Sequence, residues 1–492
     1  MNRTQRKLFT LFFVLLFFLV APTVVLFAQG YRFNLQNNVF IYSGSITIKS
    51  WPRDINIYID GEEQTNKHMS IINGARTVNG IKPGKYRITC SKPGYTSWEK
   101  DIEVHSGVST EFWNVLLFPE KESFDIASYE VPGDFKQFFL SPESNDELVV
   151  FSEEEEKRNI YLLNTENNQT ELIFGTEEFD FLPKEKGLNI EWNANNKKFI
   201  LPMIDRETDQ SNFILVNLEK EENQITVLDD FFEEQKISRA RWMFNEKNQI
   251  VVLTEENNFF TFNHEEEAPV LIAENVSGFD FAEHKIYFTG LPNNIIWEIE
   301  QDNFTNKKQI SNQPFPAIEG ENLFEITAYD KYRIFLRSEN DGSFLFNENR
   351  KKDSISILRP SEKVLGIQFS DDGKKMLCWN RHEVWYYMLR DWEIQPKRFF
   401  GDKITITRSS EPIKNVQWMD NYENIILSTD KTIKVFEADP RSYTNVSDLR
   451  TTKESIEEKD LIYNKNNQTL YYQENGEIRS LVLIKNSGFL NR

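Results

Sequence analysis

Any reaction this chain runs has to come from its carboxylates, because the other usual chemical parts are scarce. Five histidines are scattered at His68, His105, His264, His284 and His382, and neither His68 nor His105 has a Cys or His at metal-ligand spacing. Cys90 and Cys378 stand far apart, so they form no disulfide scaffold and read as buried thiols. No glycine-rich phosphate loop, His-Glu-x-x-His pair or Gly-x-Ser-x-Gly elbow occurs. Acidic residues number 77, with blocks at Glu153–Glu156 and within "HEEEAP" at His264–Pro269. A calcium loop spaces its oxygen ligands and a block does not, so both runs are expected in solvated hairpin loops. Asp371-Asp372-Gly373 and Asn340-Asp341-Gly342 read as tight turns. Carboxylates alone could run glycan hydrolysis or elimination, which needs two of them roughly 5 to 9.5 Å apart across one pocket. The acids are too numerous to single out a pair, so no catalytic, cofactor-binding or metal-binding residue is assigned and no cofactor is implied.

Trp192, Trp242, Trp297, Trp379, Trp385 and Trp418 have the side chains for sugar stacking, yet burying a large ring is the commoner use. Trp192 and Trp418 fall at a repeated position and are expected in the core; Trp379, near a hairpin tip, is the expected exception. The triplets at Asn168, Asn275, Asn303, Asn445 and Asn467 have the form of glycan acceptors, which chance explains in a chain so rich in Asn.

The charge balance narrows the partners. With 57 basic residues the net charge is -20, which repels nucleic acid and anionic lipid headgroups, so no nucleic-acid partner is expected. At 492 residues, 39% hydrophobic and with forty Phe, the chain has material for two or three domains.

Residues Leu8 to Ala28 carry no charge, a length that spans a bilayer's hydrocarbon as a helix. Leu8, Phe12, Leu16, Val20, Val24 and Phe27 mark this anchor. Arg3, Arg6 and Lys7 precede it and only Arg32 follows before Lys49, so residues 1–7 form a cytoplasmic tail and the bulk lies outside the cytoplasm. The alternative is a signal peptide cut after Ala28, against which stand the long apolar run and Leu26 at the third position before the cut.

Beyond Gly44 the pattern turns to strands. Ile46 and Ile48 alternate with polar neighbours, as do Ile55, Ile57 and Ile59, then Tyr86, Ile88 and Cys90, then Trp98, Ile102 and Val104, with Glu99, Asp101 and Glu103 outward. Asp60-Gly61, Pro83-Gly84 and Pro93-Gly94 are turn pairs in which Gly takes positive φ. With Ser50 and Pro52, "IYIDGE" at Ile57–Glu62, "IKPGKY" at Ile81–Tyr86 and "KPGY" at Lys92–Tyr95, residues 44–118 resemble the PEGA domain. That resemblance implies a small β-sandwich-like, non-catalytic spacer or adhesion module outside the cytoplasm. The loop from Gln64 to Asn79 is longer than the family pattern.

From Phe124 a unit recurs with starts near residues 135, 188, 237, 276, 324, 364, 413 and 458, a period of roughly 46, that of a four-stranded propeller blade. One offset repeats in four units: Trp192 to Phe199, Phe369 to Met376, Trp418 to Ile425 and Tyr463 to Leu470. The last unit holds three strands, and Phe124–Val131 is expected to supply its fourth. "FSDDGKKML" is similar to the WD40-like repeat of periplasmic propellers, with Asp371 in place of the usual Pro. The expected architecture is therefore all-β: a transmembrane anchor (8–28), a PEGA-like module (44–118), and an eight-bladed β-propeller (124–486), or a seven-bladed one if the short unit near 276 merges with a neighbour. The expected function is a membrane-anchored extracytoplasmic binding or scaffold protein recognising an envelope protein or glycan by loops around the propeller's channel. The alternative is an envelope glycan hydrolase or lyase on the same fold.

Overall fold

In the computed structural model the chain begins as one helix, α1 (Arg3–Ala28), and continues almost wholly in strands. Residues 3–484 are described, apart from 29–30, 35–38, 66, 71–72, 143, 183–189, 221–223, 233–234, 244–245, 266–267, 293, 302, 313–323, 339–342, 350–353, 359–363 and 458–459. The turn at 340–342 and the side chains of Phe27 and His68 lie outside the described residues. Within α1, Gln5–Leu26 is long and apolar enough to be a membrane span or a signal sequence. Leu8, Phe12, Leu16, Val20 and Val24 are all exposed on it, and the hydroxyls of Thr10 and Thr23 bond to carbonyls one turn back.

Residues 44–116 form two four-stranded sheets packed face to face. One joins Gly44–Trp51, Lys67–Met69, Arg76–Ile81 and Ser109–Leu116; the other joins Asn56–Ile59, Glu62–Glu63, Gly84–Ser91 and Trp98–Val104. The alternating Ile46, Ile48, Ile57, Ile88, Cys90, Trp98 and Val104 meet between them as one core. The stretch expected as one long loop from Gln64 to Asn79 instead holds an edge strand, Lys67–Met69, and most of its partner, Arg76–Ile81. One turn differs from expectation: Gly84 opens a strand, while Gly80 takes φ +80° at a bulge where Gly44 faces Ile81 and Ser45 faces Asn79. The chain still bends at Pro83 between the two strands.

From Ile126 to Val482 the chain forms eight successive sheets with the radial strand order of a β-propeller. Their first strands begin at Asp134, Phe179, Ile237, Val276, Phe324, Gly366, Asn415 and Leu461. The segment from Val276 makes a complete four-stranded sheet of its own and does not merge with a neighbour. Sheet 2 departs from the repeat: Phe179–Phe181 and Glu191–Trp192 both pair with Lys198–Asp205, an extra strand the period does not show. The last sheet takes its fourth strand, Ile126–Tyr129, from the start of the array, against Glu477–Val482. The repeated offset has a physical meaning: Trp192 faces Phe199, Phe369 faces Met376, Trp418 faces Ile425 and Tyr463 faces Leu470 directly across strands.

Each sheet packs on the next through its own apolar cluster, and Tyr129, Phe138, Tyr471 and Ile478 pack the eighth sheet on the first. Side chains on the first strands also stitch neighbours. Gln368 Oε1 accepts from Trp418 N (2.8 Å), Gln417 Oε1 from Tyr463 N (3.0 Å) and Asp280 Oδ2 from Ala328 N (2.8 Å). Arg241 bridges Glu191 and Asp280 on the sheets either side.

Candidate binding site at the junction of the two modules

The two edge strands of the small module, Trp98–Val104 and Ser109–Leu116, point at the propeller, and each meets an amide side chain that completes it. Asn445, beside the outer strand of sheet 7, accepts from Glu99 N (3.0 Å) and donates to Glu99 O (2.9 Å). Gln395, in the loop before the outer strand of sheet 6, accepts from Glu111 N (3.0 Å) and donates to Ser109 O (2.8 Å). Each carboxamide thus acts as a one-residue strand, satisfying a backbone donor and acceptor that an open edge would leave bare.

Alternation along Trp98–Val104 places Lys100 on the same side as Trp98 and Ile102, and Lys100 is fully buried. Its Nζ donates to the carbonyls of Asp439 (3.1 Å), Arg441 (2.8 Å) and Tyr443 (2.7 Å) and lies 3.0 Å from Glu437 Oε2. Glu437 also accepts from Trp98 Nε1 (3.0 Å) and Asn445 Nδ2 (2.8 Å). Burial pushes the Glu437 carboxyl up, and Lys100 only partly offsets it. Arg441 pairs with Asp439 (2.6 Å), lies 4.0 Å over the Phe112 ring and donates to Glu111 O (3.0 Å). Burial opposes ionisation of Asp439, but Arg441 outweighs it and holds that carboxyl low.

Beneath this seam, between sheets 6 and 7, Arg398 grips Glu423 with two bonds of 2.7 Å, and Lys375 pairs with the same carboxylate while donating to Tyr422 O (2.6 Å). Burial works against the Glu423 charge; the two cations override it and hold its carboxyl low, while desolvation pulls the Lys375 ammonium down.

Two clefts flank the seam. The first, of about 340 Å³, lies between Phe112, Trp113, Val115 and the sheet 6 loop bearing Trp392, Ile394 and Pro396, with Glu423, Glu437 and Asp439 in its wall. This is where carboxylates converge, as a hydrolase would need; Glu423 is held by Arg398 and Lys375, Glu437 by Lys100 and Asp439 by Arg441, while Glu111 in the same wall accepts from Trp113 Nε1 (3.0 Å). The second cleft, of about 660 Å³, runs between Lys49–Asp54, Lys92, Tyr95 and Trp113–Leu116 of the small module and Asp420, Asn421, Asn466 and Gln468 of sheets 7 and 8.

The residues singled out by sequence are mostly structural. Glu153 pairs with Lys136 and Arg158, and Glu154 accepts from Tyr161, in a hairpin whose turn is Glu155-Glu156. Glu265 pairs with Lys198 (2.6 Å), and His264 Nε2 lies 3.2 Å from the same ammonium. His105 is exposed. Asp371 pairs with Lys465 (3.1 Å) across the face of the propeller, and Asp372 accepts from Lys374 N in the tight turn. Trp418, Trp385 and Trp242 are buried, whereas Trp192, expected in the core, is half-buried and lines an outer cleft between sheets 1 and 2. Trp379 is half-buried over Gly366, where a Cβ would come within 2.1 Å of its ring. Asn445 is engaged in the seam rather than open to modification. Lys100 escapes a reading by motif, though a lysine at the inward parity of a strand is a signal; nothing local marks Glu437, 339 residues from Trp98.

No curated protein matches the chain. Among solved structures, the β-propeller domain of Cps50 (Swd1) from Myceliophteria thermophila is 10% identical with a TM-score of 0.43, covering 73% of this chain and 99% of that one. The Dos1 propeller is 9% identical with a TM-score of 0.47, covering 73% and 94%. Residues 43–116 match the PEGA domain, so the small module clamped to the propeller by Lys100 is a PEGA domain.

Proposed function

We propose that this chain is a membrane-anchored binding and scaffold protein, with residues 1–7 in the cytoplasm, α1 in the bilayer, and the PEGA domain and propeller outside the cytoplasm. The single observation that carries the reading is the buried Lys100 clamp. A spacer that merely swung a propeller on a tether would have no use for a desolvated ammonium satisfied by three propeller carbonyls. The clamp holds the two modules as one body, so their facing surfaces form clefts of fixed shape in which a protein or glycan is recognised. The cation-bound carboxylates of the first cleft support binding over hydrolysis or elimination.

Alkaline extraction of membranes and protease treatment of intact cells test the placement. The chain should stay with the membrane at full length, and the enzyme should remove the propeller from outside. Release of a soluble chain starting near Gln29 would overturn the anchor, and protection from external protease would overturn the topology.

A further inference from the structure

The chain as a whole is strongly acidic, yet the second cleft has a basic and aromatic wall. The PEGA side presents Lys49, Arg53 and Lys92 against Asp54, with Trp51 and Tyr95 between them; the propeller side adds amides and one acid, Asp420. Lys92 is spoken for, lying 2.7 Å from Asp54 and over the Tyr95 ring. Lys49 is exposed and has no ion pair among the described residues. Trp51 is half-buried, its ring edge-on to Tyr95 with centroids 6.1 Å apart, and Asn114 is exposed beside it.

We infer that this cleft binds a strand of acidic polysaccharide. The inference rests on the proposed binding function and names its ligand class and place. Indole and phenol rings offer flat apolar faces to the C–H face of a pyranose, and carboxamides match its hydroxyls as donor and acceptor together. The Lys49 ammonium answers a uronate carboxylate. A neutral glycan would leave the exposed Lys49 without a counter-charge, and the global charge of -20 would repel an acidic one everywhere except at a local basic wall. The cleft lies at a domain junction, between two sheets' loops and a clamped module, so its shape is fixed before the ligand arrives.

The test is calorimetric titration of the full chain in detergent micelles with a galacturonate oligomer, a cello-oligosaccharide of equal length, and an acidic peptide of equal charge. The galacturonate oligomer should bind saturably and more weakly as salt rises, and the neutral oligomer at least about tenfold more weakly, a difference of about 1.4 kcal/mol. Lys49→Glu, at an exposed position that folding does not depend on, should weaken uronate binding by about tenfold. Trp51→Ala should weaken both oligomers, and Lys308→Glu on sheet 4 should change neither. Uronate binding that survives both Lys49→Glu and Trp51→Ala would overturn the site and leave the binding function standing. Equal binding of the two oligomers, or binding of the peptide alone, would overturn the ligand class. No binding of any probe would overturn the inference, while the fractionation experiment judges the anchored reading independently.

Discussion

Two buried glutamates within one sheet of each other meet opposite electrostatic fates. Glu423 lies between sheets 6 and 7 with Arg398 and Lys375 on its carboxylate, and its ionised form is favoured. Glu437 lies at the seam with one cation, Lys100, and two neutral donors, Trp98 and Asn445, and its ionised form is disfavoured. Burial raises both; Glu423 has a second cation, whereas Glu437 has one and also feels the neighbouring Asp439 charge. One cation with neutral donors does not repay the removal of a carboxylate from water; two do. The propeller's internal joint is thus locked in its charged state, whereas the joint between modules is tolerant of a proton.

Four measurements break or sharpen this contrast. Glu423→Gln strands two cations in the core and should destabilise the propeller by about 5 kcal/mol, read as a fall in the urea midpoint. Lys100→Met leaves three carbonyls and Glu437 without their cation and should cost about 3 kcal/mol of docking, read as new protease cuts around residues 91–120 with the propeller melt unchanged. If that melt fell as far as for Glu423→Gln, the two joints would not be separable. Glu437→Gln mimics the protonated acid and should cost only about 1 kcal/mol, although it is the same chemical change as at Glu423.

The third variant also isolates the pH dependence. The folded value of Glu437 lies above its ordinary 4.5, so its contribution is full below 4.5 and is lost as pH rises through the folded value. Seam stability should therefore rise from pH 7 toward 4.5 in the native chain and be flat in Glu437→Gln. Glu423 has a lowered folded value, so its contribution is present above its ordinary 4.5 and lost only as pH falls through that lower value. A propeller joint that weakened between pH 7 and 4.5 would contradict this. The smallest effect belongs to the exposed Arg87–Asp101 pair, where Arg87→Ala should leave the melting temperature unchanged within error.

The fold was legible because its signals are local. Alternation, turn pairs and the aromatic-to-apolar offset each involve a few neighbouring residues, and the offset turned out to be a cross-strand contact repeated from sheet to sheet. Sheet 2 was read incompletely because Phe179–Phe181 adds a strand outside the period. The clefts were not legible because their walls come from segments hundreds of residues apart, brought together by the clamp; Thr96 and Ser447 touch at a separation of 351. No carboxylate pair stands out in the sequence for a related reason. Acids are everywhere along the chain, and what distinguishes Glu423 and Glu437 is which cations the fold delivers to them.

The pairing of Ile126–Tyr129 with Glu477–Val482 has a consequence for biosynthesis. Ser128 and Glu477 bond across 349 residues, so Ile126–Tyr129, made early, waits for the sheet it completes until those residues have been synthesised. At about 5 to 20 residues per second that is a wait on the order of half a minute. For most of it the PEGA domain, already synthesised, presents an unmet ammonium, until the emerging sheet 7 gives that lysine its partners.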